Sequence, residues 1–159
     1  MTPAQLQTLK AAILAVPELA EKPMNSDGDY NIAAAINQTD PANYIVWKTS
    51  VSIDDIMRNG MDWARVDNLS VGKARIWDWI GRLGAIDASK INVRAGIDAA
   101  WVGTSADLAV RAAIYVHCKR AASTFEKWFS TGTGSDASPA TMVIEGPVSY
   151  TDVGLARAS

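Results

Sequence analysis

The chain is poor in the two side chains that most often carry metal and redox chemistry, with one cysteine and one histidine in 159 residues. Cys118, being alone, cannot form a disulfide within the chain, and His117 alone cannot supply the ligands of a histidine-based zinc site. Apolar neighbours on a predicted helix indicate a buried Cys118 thiol rather than a reactive one. A disulfide scaffold is therefore excluded, and a reducing compartment is expected.

Long apolar runs and an excess of one charge are also missing. No segment approaches the roughly 18 uncharged apolar residues that a membrane helix needs, and the N-terminus lacks the basic start and apolar run of a secretory signal. The 15 basic and 17 acidic residues leave a formal net charge of −2, which does not favour nucleic acid or an anionic membrane surface. We therefore expect a protein that is neither embedded in a membrane nor secreted by such a signal.

What the chain does contain is enough apolar surface for one core. Apolar residues make up 48% of the sequence, which suffices for a domain of this length without metal or disulfide support. Large rings are enriched both in cores and in the buried centres of interfaces. The chain has six tryptophans, at positions 47, 63, 77, 79, 101 and 128. They predict either a tightly packed core or an adhesive surface.

Helical patterns begin at the first residues. Thr2 is a helix cap, a proline follows at the first helical position, and Gln5 completes a capping box. A second helix is predicted over 29–36, and Ser52 caps a short helix that Gly60 ends. The apolar stretch at 44–47 is compatible with a strand or an extended connection.

The next helix, predicted over 70–83, is apolar around most of its circumference. Such a helix needs neighbours on more than one side, so we take Trp77, Trp79 and Ile80 as candidates for a subunit interface. A further amphipathic helix is predicted over 89–103.

The longest predicted element covers residues 105–129, about 24 residues or roughly 36 Å at the helical rise. The expected fold class is therefore mainly α, a helical bundle of about five to six helices around this long helix. At 130–139 the composition changes to glycine, serine and threonine, which cannot offset the entropy of ordering by its own burial. We predict a helical body at 1–129 and an extended C-terminal arm at 130–159.

The arm contains a predicted short strand at 141–146 and a helical turn or two at 149–158. No hairpin partner for the strand is evident nearby, which favours an arm that packs on another chain. An arm folded back on its own domain stays open as the alternative. The candidate partner-binding residues are Met142, Val143, Ile144, Val148 and Tyr150.

One acidic segment has part of the spacing of a calcium-binding loop. Asp27, Asp29 and Asn31 alternate as such a loop requires, but Ile32 replaces its glycine and Gln38 its distal glutamate. A polar turn that caps the following helix explains the segment without a metal.

Other chemical patterns are equally incomplete. The glycines at 132–134 lack the lysine of a phosphate loop and follow a helix instead of preceding one. Asp54 and Asp55 suit the first turn of a helix, where negative charge complements the macrodipole. The 84–89 connection is long for a helix-turn-helix. We therefore predict no catalytic, cofactor-binding or metal-binding residues, and no enzyme.

Short segments along most of the chain together resemble a family of small proteins of tailed bacteriophages encoded near head genes. A helical body with a C-terminal arm is also similar to the head-to-tail adaptor, or connector, proteins of such phages. The segments that carry the resemblance are 1–5, 9–13, 46–49, 71–77, 92–96, 126–127, 131–134, 139–142 and 156–158.

The resemblance implies a structural virion protein that forms a homo-oligomeric ring, usually of about twelve copies. Made in the cytoplasm of the bacterial host, the ring would lie in the neck, at the head-tail junction. Its arm at 130–159 would dock on the portal protein, and a further neck or tail protein would bind the ring. DNA would pass through the channel without sequence-specific binding.

Two other classes of function stay open. Another virion role, such as a tail-completion ring or a capsid-associated protein, predicts the same composition with a different partner. A small host-directed effector or enzyme predicts a monomer or dimer with a concave pocket.

Overall fold

The computed structural model describes residues 1–59 and 61–159, and their fold is mainly α-helical, as predicted. The predicted helix terminator Gly60 lies outside the described residues. Within them the helices are α1 (Pro3–Leu14), α2 (Pro17–Ala20), α3 (Ser26–Ile36), α4 (Ile53–Arg58), α5 (Trp63–Asp67), α6 (Val71–Gly81), α7 (Ile91–Ala100), α8 (Ser105–His117), α9 (Thr124–Trp128) and α10 (Tyr150–Ala158).

Short strands form three two-stranded sheets in the described part of the chain. β1 pairs with β4, β2 with β3, and β5 with β6. In the second sheet Val51 lies opposite Ile86, and in the third Ser130 lies opposite Met142. The strands are β1 (Ile45–Trp47), β2 (Val51–Ser52), β3 (Ala85–Ile86), β4 (Lys119–Ala121), β5 (Ser130–Thr131) and β6 (Thr141–Met142).

The chain divides into two compact units, one of which is inserted in the other. The terminal unit combines Met1–Ile45 with Ala121–Ser159, and the inserted unit is the continuous segment Val46–Arg120. The predicted division at residue 129 therefore does not coincide with the boundary between the units. The segment 130–159 belongs to the same unit as the N-terminal helices.

Local cap chemistry accounts for α1. The Thr2 side chain accepts a hydrogen bond from the Gln5 backbone amide, and the Gln5 side chain accepts one from the Thr2 amide at 2.8 Å. This is the predicted capping box, and it satisfies amides that a helix start leaves without partners. The helix buries Leu9 and Ile13, two of the residues whose spacing predicted it.

The core of the terminal unit joins residues that are far apart in the sequence. Apolar side chains from α1, α3, α9 and α10 form one cluster, so helices from both ends of the described chain contribute to it. Its buried members are Leu9, Ile13, Leu19, Ile32, Ala33, Ile36, Phe125, Phe129, Val148, Val153 and Ala156.

The segment 130–159 is not an extended arm, and this prediction is wrong. Asn37 exchanges two hydrogen bonds of 2.9 Å with the backbone of Val148, and α10 places Val153 and Ala156 in the core at 0% exposure. The predicted strand at 141–146 shortens to β6, whose partner is β5, the hairpin partner that the sequence did not reveal. Burial of these apolar side chains supplies the free energy that the polar composition of 130–139 lacks.

Arg157 holds α10 against the rest of the terminal unit. Its guanidinium lies 2.6 Å from an Asp29 carboxylate oxygen and donates to the carbonyl oxygens of Lys22 and Pro23 at 2.6 and 2.9 Å. Gly154 approaches the same carboxylate so closely that a Cβ there would lie 2.7 Å from Asp29 Oδ2. The charge is thus nearly enclosed, and three of its N–H groups donate hydrogen bonds.

The inserted unit has its own core around two aromatic contacts. Trp77 and Trp101 meet edge to face with ring centroids 5.4 Å apart, a favourable arrangement of ring quadrupoles. Where α6 crosses α7, a Cβ on Gly96 would be 3.4 Å from Ile80, so the small residue permits close packing of the two helices. Trp47 and Tyr115 make a second edge-to-face pair at 5.4 Å.

The prediction of a single long helix over 105–129 is wrong. α8 ends at His117, the chain then forms β4, and a new helix, α9, begins after Ser123. Ser123 and Glu126 make a capping box in which Ser123 N donates to Glu126 at 2.9 Å. The chain breaks here because the backbone of β4 pairs with β1, which a continuous helix would prevent.

We predict that Arg157→Ala destabilises the protein by about 3 kcal/mol, because it leaves the largely buried Asp29 carboxylate and two carbonyl oxygens without their donor. The matched control is Arg82→Ala, which removes a pair whose two side chains are 75% and 56% exposed and should change stability by less than about 0.5 kcal/mol. Urea unfolding followed by circular dichroism measures both. Equal effects of the two substitutions would contradict a structural role for Arg157.

Candidate functional site

The two residues with the greatest potential for metal or thiol chemistry lie at the end of α8. Cys118 is fully buried, and this burial raises the pKa of its thiol to about 11, so the reactive thiolate is disfavoured. His117 Nε2 lies 2.8 Å from the carbonyl oxygen of Asn59. Within residues 1–59 and 61–159, no group of three or more His, Cys, Asp or Glu is placed to hold a metal ion.

The acidic segment at 27–31 lies within α3 and not in a loop. Asn25 caps this helix by accepting from Gly28 N at 2.9 Å. Asp29 is the partner of Arg157. The alternating carboxylates are therefore spread around a helix, where they do not converge on one point.

A buried carboxylate connects three helices of the inserted unit. Asp107, in the first turn of α8, accepts from Arg65 of α5 at 2.5 Å and lies 3.8 Å from the Lys73 ammonium of α6. It also completes the capping box with Thr104. The hydrogen bond from Arg65 lowers the pKa of Asp107, in spite of burial that acts in the opposite direction. Each of these contacts joins one secondary-structure element to another, which indicates a structural role for Asp107.

A second polar group surrounds Tyr115. Its hydroxyl donates to Asp98 at 2.8 Å, and burial, followed by this bond, raises the tyrosine pKa. Arg94 stacks over Trp47 with 4.8 Å between the guanidinium carbon and the ring centroid, and it also donates to the carbonyl of Ala88 at 2.7 Å. These groups satisfy one another, and none is left directed at an open cavity.

The inserted unit does contain an open apolar pocket of about 320 Å³. This volume lies at the lower end of the range of small-ligand sites. Its polar members, Asp78 and Arg82, pair with each other at 2.8 Å. The pocket lies between three helices and is lined by Ile53, Met57, Val66, Ala74, Trp77, Asp78, Gly81 and Arg82.

The predicted subunit-interface residues on α6 do not share one environment. Trp77 and Ile80 are buried in the core of the inserted unit, so they are not available to a second chain. Trp79 is 62% exposed and is the one of the three that remains a candidate for an interface. Its outward direction follows from helical geometry, since adjacent positions differ by about 100° around the axis.

The predicted partner-binding residues of the C-terminal segment also differ in exposure. Met142 and Val148 are buried, and Ile144 packs partly buried against the core of the terminal unit. Only Val143 and Tyr150 are exposed. A continuous adhesive strand at 142–144 is therefore not presented, because alternate residues of this segment point into the protein's own core.

The structure adds two exposed apolar residues that sequence reasoning did not select. Leu83 follows α6 four residues after Trp79 and is 63% exposed, and Trp63, at the start of α5, is 60% exposed. The spacing of Trp79 and Leu83 was a readable signal, because residues four apart share a helix face. For Trp63 no such signal existed, since α5 has only five residues.

The near-neutral net charge is the sum of opposite formal charges on the two units. The inserted unit has eleven Lys and Arg against eight Asp, a formal charge of +3. The terminal unit has four Lys and Arg against nine Asp and Glu, a formal charge of −5. Opposite signs on separate folded units produce local fields that the total charge does not indicate.

Comparisons of the chain with protein families, curated proteins and solved structures return no match. None of the described helices combines the length and the apolar character needed to cross a membrane.

We predict that Asp107 makes stability depend on acid pH. Its pKa is below the ordinary value of 3.8, so its contribution is complete above that pH and is lost as the pH falls toward the lowered value. Between pH 6 and pH 3, the wild type should lose more stability than Asp107→Asn in urea unfolding. Asp78→Asn, which alters an exposed carboxylate, should behave like the wild type. An identical loss in all three proteins would contradict the assignment.

Proposed function

We propose that the protein is a structural virion component that binds other protein chains, as a head-to-tail adaptor ring beneath the portal of a tailed phage. The observation that carries the proposal is that Trp79 on α6 and Leu83, two residues after its end, are both exposed apolar side chains. The phage context comes from the sequence resemblance. A helical bundle in each subunit and a location in the virion neck are part of the same proposal.

The pair has the properties of a protein-binding surface. Trp79 and Leu83 are four residues apart, which is the spacing of one helix face, and each is more than half exposed. Tryptophan is the residue most enriched where truncation costs binding energy. A contiguous exposed apolar patch marks an interaction site more often than isolated apolar residues do.

Because the segment 130–159 is folded, the proposed contact with the portal differs from the docked arm expected from the sequence. Strand addition by 142–144 would require Met142 to leave the core, at a cost of about 2 kcal/mol for one apolar side chain. We therefore propose that the α6 face, and not a free arm, makes the contact with a partner. The acidic terminal unit suits a channel through which DNA passes without being retained, since like charges repel.

We predict that Trp79→Ala combined with Leu83→Ser weakens capture by the portal and neck proteins encoded near this chain's gene by at least about tenfold. Trp63→Ala removes an equally exposed tryptophan from another helix and should leave capture nearly unchanged. The mass of each full-length variant in solution, alone and in mixtures, measures the effect.

A version that ends at residue 129 is not a suitable test, because it removes Val153 and Ala156 from the core. Capture by a tail-completion or capsid protein in place of the portal would support the other virion role. A wild-type chain that binds none of the virion proteins would contradict the proposal.

The pocket between α4, α5 and α6 favours a second candidate function, an effector that binds a small apolar ligand. If this is correct, the wild type should bind one molecule of the apolar dye anilinonaphthalene sulfonate. Ala74→Phe, which fills the pocket, should then weaken binding by at least about tenfold. Ala112→Phe on the exposed side of α8 is the control. Dye binding that is absent, or equal in all three proteins, would contradict this candidate.

A further inference from the structure

The pocket between α4, α5 and α6 combines an apolar lining with one charged edge. Trp77 is part of the lining and is only 5% exposed, so its ring supplies a broad apolar wall. Gly81 also lines the pocket, and a Cβ built there meets no described atom within 4 Å. The charged residues of the described lining are Asp78 and Arg82, which are 56% and 75% exposed. A ligand in this pocket therefore contacts apolar surface at one end and a charged pair in solvent at the other.

The Arg82 guanidinium has more hydrogen-bonding capacity than its pair with Asp78 uses. Its Nε and Nη2 lie 3.0 and 2.8 Å from the same oxygen, Asp78 Oδ2. An arginine carries five N–H groups in a rigid fork, and each edge of the fork matches the two oxygens of a carboxylate. Asp78 occupies the edge that contains Nε, and none of the described residues occupies the edge formed by Nη1 and Nη2. This second edge is available to the carboxylate of a ligand.

The charge around the pocket favours an anion over a cation. Residues 71–82 supply most of the lining and carry three basic side chains against one acidic side chain, Asp78. The inserted unit as a whole has a formal charge of +3. A cation bound to Asp78 would stand beside Arg82 in this positive surrounding, whereas an anion on Arg82 is repelled by Asp78 alone. The charged group of the ligand stays in solvent at the exposed edge, so it avoids the cost of burying a charge.

We propose that this pocket binds an amphipathic carboxylate, with the apolar chain against Trp77 and the carboxylate on the second edge of Arg82. The volume of about 320 Å³ is at the lower end of small-ligand sites, which suits one acyl chain of about ten carbons. A carboxylate held by two N–H groups of an arginine has a defined orientation as well as a favourable energy. The inference rests on the second candidate function, the effector that binds a small apolar ligand, and deepens it by naming the ligand class.

The test compares three probes that share one alkyl chain and differ only in their polar group: decanoate, decanol and decylamine. Isothermal titration calorimetry on the full chain, with each probe below the concentration at which it forms micelles, measures their affinities. We expect decanoate to bind most tightly and decylamine most weakly, with at least about a tenfold difference in Kd between these two. Raising the salt to about 0.5 M should weaken the binding of decanoate and leave that of decanol nearly unchanged, because exposed charges are screened.

Substitutions at the charged edge separate the roles of the two residues. Arg82→Gln should weaken decanoate binding by at least about fivefold and change decanol binding by less than about twofold. The matched control is Arg58→Gln, which removes an arginine from an equally exposed pair with an aspartate outside the pocket lining. This control should bind all three probes like the wild type. Asp78→Asn removes the repelling carboxylate and should strengthen decanoate binding by about twofold or more.

A variant that fills the pocket locates the binding site. Gly81→Leu extends a side chain from the lining, and the open space around the new Cβ together with the higher helix propensity of leucine favours a folded protein. It should weaken the binding of all three probes by at least about tenfold. Circular dichroism verifies the fold of every variant, so a loss of binding by Gly81→Leu is distinguished from unfolding.

Three outcomes would overturn the inference. Equal affinities for decanoate and decylamine, or equal losses of decanoate binding in Arg82→Gln and Arg58→Gln, would refute the preference for a carboxylate. Decanoate binding that Gly81→Leu leaves unchanged would place the ligand elsewhere on the chain. Decanol binding without any charge preference would refute the ligand class and leave the second candidate function standing, whereas the absence of binding by all three probes would refute both.

Discussion

The enclosure of Arg157 by Asp29 and two backbone carbonyls is the interaction on which the terminal unit depends. It fixes the position of α10, and α10 in turn delivers Val153 and Ala156 to a core that the N-terminal helices cannot complete. Removing either partner of such a pair is costly, because the other partner is left as an uncompensated and largely buried charge. The C-terminal segment therefore packs within its own chain, and a surface that binds other proteins must lie elsewhere on the molecule.

Features set by neighbours in the sequence were predictable, and features set by distant contacts were not. Thr2 and Gln5 specify the start of α1 within four residues, so its capping box could be anticipated. The end of α8 depends on a strand pairing across more than 70 residues of chain, although Ser123 and Glu126 carried a local signal for a new helix start. The burial of Met142 and Val148 follows from the same long-range packing, which apolar character alone cannot distinguish from a partner-binding surface.

In the candidate site, too, the sequence did not show which single side chains are buried and which are exposed. An apolar helix face predicted Trp77, Trp79 and Ile80 together, but two of these fill the core and only Trp79 faces outward. Charge was more informative once the units were known, because a total of −2 separates into opposite values on two folded bodies.

The insertion of one unit in the other also determines the order in which the two units can fold during synthesis. Residues 46–120 are continuous, so the inserted unit can fold as soon as it leaves the ribosome. The terminal unit cannot be completed until α10 has been made, and its first 45 residues lack that helix for more than 100 residues of translation. During that interval the part of the Leu9 and Ile13 core that faces α10 is uncovered, and its protection from aggregation depends on translation speed and on chaperones.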